Sequence, residues 1–226
     1  MLILALESSA KPASVAVCKD GKLIGLYFQN SGLTHSRTLL MMTESLLKNL
    51  GMAISDIELI AVARGPGSFT GVRIGVSAAK GLAWGAGIPA CGVSTLESMA
   101  FQTPEHGVIL CPVMDARRSQ VYNALFKWQG ESPVRLCQDR AIGLEDLASD
   151  LRNRKEPVLL IGDGASMSHS YLSGSGISCH MAPELMLYQT AYGVALAAAN
   201  ADPIQAKDLE PVYLRPSQAE RERSNK

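Results

Sequence analysis

The sequence predicts an α/β protein of two lobes, each a mixed sheet flanked by helices. Three observations lead there. Short, continuously apolar runs such as Leu2–Leu6 and Val158–Ile161 suit buried strands. Tight-turn signals join the first three runs into an antiparallel meander, which a purely parallel sheet would not contain. Each half of the chain begins with strands and ends with helices, so the halves read as distant copies of one unit, although no sequence repeat is visible.

In chain order, Leu2–Leu6 is the first strand and Glu7-Ser8-Ser9 its polar turn. Ser14–Cys18 is the second strand, and Asp20-Gly21 signals a hairpin into a third, Lys22–Phe28. Gly32–His35 reads as a loop. Thr34 or Ser36 caps a helix that runs to Leu50 and stops at Gly51. Ile57–Ala63 is an apolar strand. The Arg64–Gly71 loop then leads into a small-residue helix ending near Trp84, broken by Gly85 and Gly87. Ile88–Val93 is another strand, and Ser94-Thr95-Leu96-Glu97 has the form of a capping box on a short helix. Composition shifts over Gln102–Gly107, which places a first lobe at residues 1–103 and a shorter second lobe at 104–226. There, Val108–Met114, Gln120–Lys127, Val134–Gln138 and Val158–Ile161 read as strands and Gly143–Leu151 as a helix. Gly162-Asp163-Gly164 is a loop, Leu187–Asn200 an Ala-rich helix, and the polar tail after Arg215 is expected to fray.

Composition excludes several function classes. The 226 residues are 47% hydrophobic and 19% charged, ordinary for a chain with a real core. Lys plus Arg and Asp plus Glu both number 21. A protein that grips nucleic acid alone carries a basic excess, so any RNA role is expected to run through a partner. The five cysteines are odd in number and form no C-x-x-C pair, which argues against a disulfide framework or zinc knuckle. The apolar start ends at Glu7 without a basic leader or cleavage site, and no stretch is apolar enough to span a bilayer. A cytoplasmic protein is expected.

The strongest local signal is Arg64–Gly75, a glycine-rich turn between a buried strand and a helix. Glycines allow close backbone approach, and helix N-terminal amides can hold an anion, so Arg64, Gly65, Gly67 and Arg73 are the candidate anion or nucleotide contacts. The spacing fits neither the Walker loop nor the dinucleotide fingerprint, and a tight structural turn is the simpler alternative. It also lacks the G-x-S-x-G elbow of a serine hydrolase. Gly71, Gly75 and Ala79 form a small-residue stripe that invites a close neighbour. In the helix before it, Leu39-Leu40-Met41-Met42 covers every side of a turn, so that helix is either fully buried or meets another protein. Two further loops, Asp115-Ala116-Arg117-Arg118 and Gly162-Asp163-Gly164, could contact an anion or a nucleotide, against the simpler reading of a charged loop and a plain turn.

The run Gly65–Gly75, reading GPGSFTGVRIG, resembles the signature of the TsaB (YeaZ) family. Leu4–Ser9, Thr34–Arg37 and Glu210–Arg215 are similar to that family in the same order, so the resemblance spans the chain. It implies an actin-like, sugar-kinase-type (ASKHA) fold of two lobes. It also implies a non-catalytic subunit that binds and activates the paralogous transferase TsaD, with the ATPase TsaE, in forming threonylcarbamoyladenosine beside the tRNA anticodon. The partner surface is expected on the helices Ser36–Leu50 and Thr70–Trp84, through Leu39, Met42, Leu46, Gly71, Ile74, Gly75, Ser77 and Ala78. The same patch is expected to form a homodimer in the absence of TsaD. No tightly bound cofactor is expected, with ATP or ADP at the subunit junction as the one candidate. Where TsaD carries an H-x-x-x-H metal pair, this chain has Thr95 and Met99, and no metal site is expected. Glu97 reads as an N3 capping residue. A stand-alone actin-like ATPase and a glycoprotease-type peptidase are the alternatives.

Overall fold

The computed structural model describes residues 1–215. The anticipated tail after Arg215 lies outside them. The chain begins with β1 (Leu2–Glu7), β2 (Ala13–Lys19) and β3 (Lys22–Gln29), then α1 (His35–Leu50), β4 (Leu59–Ala63), α2 (Phe69–Ala86), β5 (Ala90–Val93) and α3 (Thr95–Phe101). These strands form a sheet of order β3-β2-β1-β4-β5. β1 pairs antiparallel with β2 and parallel with β4, which makes the sheet mixed.

Both faces of this sheet are buried, so β1 is apolar at every position up to Glu7. Leu4 and Leu6 point to one face, where Leu39 and Leu46 of α1 and Val72 and Val76 of α2 cover them. Ile3 and Ala5 point to the other. Their cover is α7 (Ala191–Ala198), a helix from late in the chain, through Val194, Ala195 and Ala198.

The second sheet is built from β6 (Ile109–Asp115), β7 (Gln120–Asn123), β8 (Phe126–Gln129), β9 (Ser132–Arg135), β10 (Arg140–Gly143), β11 (Val158–Ile161) and β12 (Cys179–Met181). Its main path is β10-β7-β6-β11-β12, with β8 joined to β6 and β9. One face is covered by α4 (Leu144–Arg152) and α5 (Ala165–Gly174). The short α6 (Glu184–Leu187) follows β12. The other face receives Leu96, Met99 and Ala100 of α3.

The connecting helices are therefore exchanged between the halves. α3 leaves the first sheet to cover the second, and α7 returns to cover the first. They pack on each other between the sheets. A Cβ at Gly193 of α7 would lie 2.2 Å from the Ser98 carbonyl oxygen of α3, so glycine permits this crossing. Across the expected division at residues 103/104, each half is thus covered by a helix from the other.

Other differences have local causes. The strand expected over Gln120–Lys127 breaks after Asn123, whose buried amide donates to the Pro112 and Ala124 carbonyls. The helix expected from Leu187 begins at Ala191, because the Thr190 amide and hydroxyl both donate to Gln102 Oε1. Gly85 lies inside α2, and only Gly87 ends it, at φ +69°. Gly51 closes α1 in the same left-handed conformation, as expected. No helix among the described residues is long and apolar enough to cross a membrane.

Candidate functional site

The four segments singled out in the sequence meet at one place, on the first-lobe wall of a cleft between the lobes. β1 delivers Glu7, Ser8 and Ser9, all fully buried. The Ser9 amide donates to Glu7 Oε1 at 2.6 Å. Ser8 Oγ donates to the Gly71 carbonyl at 2.9 Å, and the Ser68 amide donates to the Ser9 carbonyl at 2.6 Å. Across the loop, His35 Nε2 donates to the Ala10 carbonyl at 2.7 Å.

The glycines of the loop are explained by these contacts. A Cβ at Gly67 would meet the Ser9 carbonyl oxygen at 2.3 Å, and one at Gly71 the Ser8 carbonyl oxygen at 2.1 Å. At Gly75 it would meet Ser8 Oγ at 2.4 Å. Gly65 sits at φ +114° with the Val212 carbonyl oxygen 2.3 Å from the place of a Cβ. Ser68 Oγ caps α2 by accepting the Gly71 amide at 3.2 Å.

The late segment is a strap over this knot. Ile204 pairs with Ala90 at the sheet edge, and Lys80 Nζ donates to the Lys207 carbonyl at 2.7 Å. The Val212 amide donates to the Arg64 carbonyl at 2.7 Å. Arg73 donates from Nε to Tyr213 OH at 2.8 Å and lies 3.8 Å over the Phe69 ring. Arg215 then reaches the second lobe at the Ala116 carbonyl, 2.8 Å away.

The cleft has a volume of about 760 Å³. Its first-lobe wall is Ser9–Lys11, Gly32–His35 and the start of α2, and its second-lobe wall is Met114–Arg117 and Asp163. Burial pushes the Glu7 carboxyl up to about 7, against hydrogen bonds from Ser9 and Ser8, and Asp163 across the cleft adds to the rise. Burial also raises Asp163, opposed by the Asp115 amide that donates to it at 3.2 Å. Glu7 Oε2 and Ser9 Oγ have no hydrogen-bond partner of good geometry among the described residues, and neither has His35 Nδ1.

The expected anion contacts do not form an open cradle. Arg64 spends its amide on the Val93 carbonyl and its carbonyl on Val212, and its side chain packs against Gly92. Gly65 and Gly67 are closed by neighbouring backbone, and Arg73 is held by Phe69 and Tyr213. The backbone of the loop is thus closed by packing, the arrangement of a tight structural turn.

The expected partner surface also divides. Leu39 and Leu46 are 1% and 2% exposed and belong to the core, and Gly71 and Gly75 press on Ser8. Ser77 is exposed, while Met42, Ile74 and Ala78 are half-buried at the outer side of α1 and α2. The residues most exposed there were not singled out individually: Leu40 at 51%, Met41 at 67% and Trp84 at 67%. Thr95 and Met99 are fully buried, with Met99 in the core under the second sheet. Ser94 caps α3 by accepting the Glu97 amide at 3.2 Å. Glu97 does not complete the capping box. Its carboxylate pairs with Arg135 at 3.3 Å, and Arg135 also pairs with Asp139 and lies over Phe126.

Residues 29–200 match the family model described as TsaD, tRNA N6-adenosine threonylcarbamoyltransferase. The tRNA threonylcarbamoyladenosine biosynthesis protein TsaB of Bacillus subtilis (strain 168) is 36% identical over 167 residues, 74% of this chain and 73% of its own length. The chain belongs to the TsaB family. YeaZ from Pseudomonas aeruginosa superposes with a TM-score of 0.81 at 25% identity, over 94% of this chain and 99% of that one. The (R)-2-hydroxyglutaryl-CoA dehydratase component A of Acidaminococcus fermentans, 13% identical, shares the fold alone, with a TM-score of 0.54 over 88% of this chain and 98% of that one. The fold is the actin-like, sugar-kinase-type one, and the family places the chain in tRNA threonylcarbamoyladenosine biosynthesis.

Proposed function

We propose that this TsaB-family chain is a non-catalytic, cytoplasmic subunit that binds and activates the transferase TsaD, in an assembly joined by TsaE. The observation that carries this reading is the outer face of α1 and α2. Both helices bury their inner faces on the first sheet, yet Leu40 and Met41 of α1 remain more than half exposed, as does Trp84 towards the end of α2, while Met42, Ile74 and Ala78 are half-buried. Exposed apolar side chains that include a flexible methionine and a tryptophan suit a protein contact. Thr95 and Met99 support the non-catalytic part, since by the resemblance to TsaD they stand where the transferase carries its metal-binding histidines, and both are fully buried. tRNA then reaches this chain only through the assembly, consistent with 21 cations balanced by 21 anions. The same face serves a homodimer when TsaD is absent.

Charge placed on this face tests the proposal. Met41→Asp and Ile74→Asp are expected to abolish co-purification with TsaD while leaving the circular dichroism spectrum unchanged. Retained association in both folded variants would place the interface elsewhere. A stand-alone ATPase remains the second reading, favoured by the interlobe cleft with Asp115 and Asp163 on its wall. A large rise in melting temperature with ATP and magnesium on the chain alone would support it.

A further inference from the structure

Three arginines gather where the second lobe meets the strap. Arg117 and Arg118 form the tip of the β6–β7 hairpin, and Arg215 reaches that hairpin at the Ala116 carbonyl, 2.8 Å away. The backbone holds them in an unusual way. Arg117, Arg118 and Ser119 stand in succession at φ +67°, +57° and +56°. Left-handed backbone is costly for a residue with a Cβ, and glycine would occupy it freely. Such strain persists only where surrounding contacts enforce it, and it clusters at functional sites. Here the Arg117 amide donates to Asp115 Oδ1 at 2.7 Å and the Ala116 amide to the Gln120 carbonyl at 3.0 Å.

The result is a fixed tip with its cations outward. The Arg117 side chain is 84% exposed against 39% for Asp115, its partner at 3.8 Å. Arg118 is exposed and pairs with no carboxylate among the described residues. Asp163 lies behind the hairpin, accepting the Asp115 amide. An ordered aromatic ring stands beside the arginines. Tyr213, two residues before Arg215, is 38% exposed. Its ring centroid lies 4.8 Å from that of Phe69, and its hydroxyl accepts from Arg73 Nε. A ring fixed in this way can stack a base at little ordering cost.

We infer that this rim of Arg117, Arg118, Tyr213 and Arg215 touches tRNA directly, the arginines on backbone phosphates and Tyr213 on an unstacked base. Guanidinium forks match phosphate oxygens, and arginine beside an exposed aromatic suits single-stranded loops of RNA. The inference rests on the reading of the chain as a subunit of a tRNA-modifying assembly. Three cations are too few to hold tRNA alone, in keeping with a chain of no net charge. None of the four residues belongs to the outer face of α1 and α2, so one chain can engage TsaD and tRNA together.

Ultraviolet cross-linking and filter binding of tRNA to the full chain reconstituted with TsaD and TsaE test this. A cross-link is expected on the peptide that carries Tyr213. Arg117→Gly with Arg118→Gly removes both cations and suits the left-handed backbone, so the melting temperature should not fall. This pair should still co-purify with TsaD, bind tRNA about tenfold more weakly, and lower the salt slope by about one to two. Arg117→Lys with Arg118→Lys should keep most of the affinity. Lys127→Ala, paired with Glu156 elsewhere on the second lobe, should change nothing. The inference fails if the glycine pair binds tRNA with wild-type affinity and slope, if it loses TsaD instead, or if it loses only a thermal response to ATP. Intact co-purification of the wild type without a cross-link at Tyr213 would overturn the rim alone. A cross-link at Tyr213 without co-purification would uphold the rim and overturn the subunit reading.

Discussion

A methyl group at Gly71 would fall 2.1 Å from the Ser8 carbonyl oxygen, and backbone cannot give way as a side-chain tip can. Gly71→Ala is therefore expected to cost about 1–3 kcal/mol through overpacking. Gly81 lies in the same helix with open space where its Cβ would be. Gly81→Ala should instead stabilise by up to about 1 kcal/mol, because alanine loses less freedom in a helix. Urea unfolding of the two variants checks the opposite signs. Glu7 gives a second test at this scale. Its pKa is about 7 in the folded chain against 4.5 for the free side chain, so the folded state holds the proton more tightly. That contribution is complete below pH 4.5 and is lost as pH rises through 7. Glu7→Gln imitates the protonated form and removes the titration. It should match the wild type near about pH 4 and exceed it by up to about 3 kcal/mol near about pH 8.5. A variant no more stable than wild type at the higher pH would show that Glu7 stays ionised at little cost.

The elements of the first lobe were legible because their signals were local. β1 to β3 and α1 followed from apolar runs, Asp20-Gly21 and Gly51. In the second lobe β10, α5, β12 and α6 went unread. α5 is serine-rich with few apolar positions to mark a face, and β12 has only three residues. The site was half legible for a related reason. The four motifs were visible, but their meaning lay in contacts across the chain, such as Gly65 against Val212, which no local spacing reveals. Glu97 is another such case. Its position fits a capping box, yet Arg135, 38 residues later, takes its carboxylate. That pairing makes a clasp between the start of α3 and the β9–β10 region, with Ser94 also donating to Asp139. Asp139 is 17% exposed in its side chain, so losing Arg135 strips a poorly hydrated carboxylate of its cation. Arg135→Met should cost about 1–3 kcal/mol and speed hydrogen exchange at the start of α3 and at β9. Unchanged exchange there would mean that apolar packing alone holds the two together.

The exchange of helices decides how the whole molecule folds. The first sheet needs α7, more than eighty residues beyond β5, to cover Ile3, Ala5, Leu59 and Ala61. The strap from Ile204 to Arg215 must also return before Gly65 and Arg64 find their partners. Neither half can close its core from its own sequence, although each has its own sheet. A fragment of residues 1–103 should therefore bind a hydrophobic dye such as ANS and melt without a cooperative transition. The intact chain should unfold in one transition by both fluorescence and circular dichroism. Adding residues 188–215 in trans should restore part of the cooperativity, because that segment carries both α7 and the strap. If residues 1–103 melted cooperatively by themselves, the first sheet would not depend on α7, and the two lobes would be separable units joined by a dispensable strap.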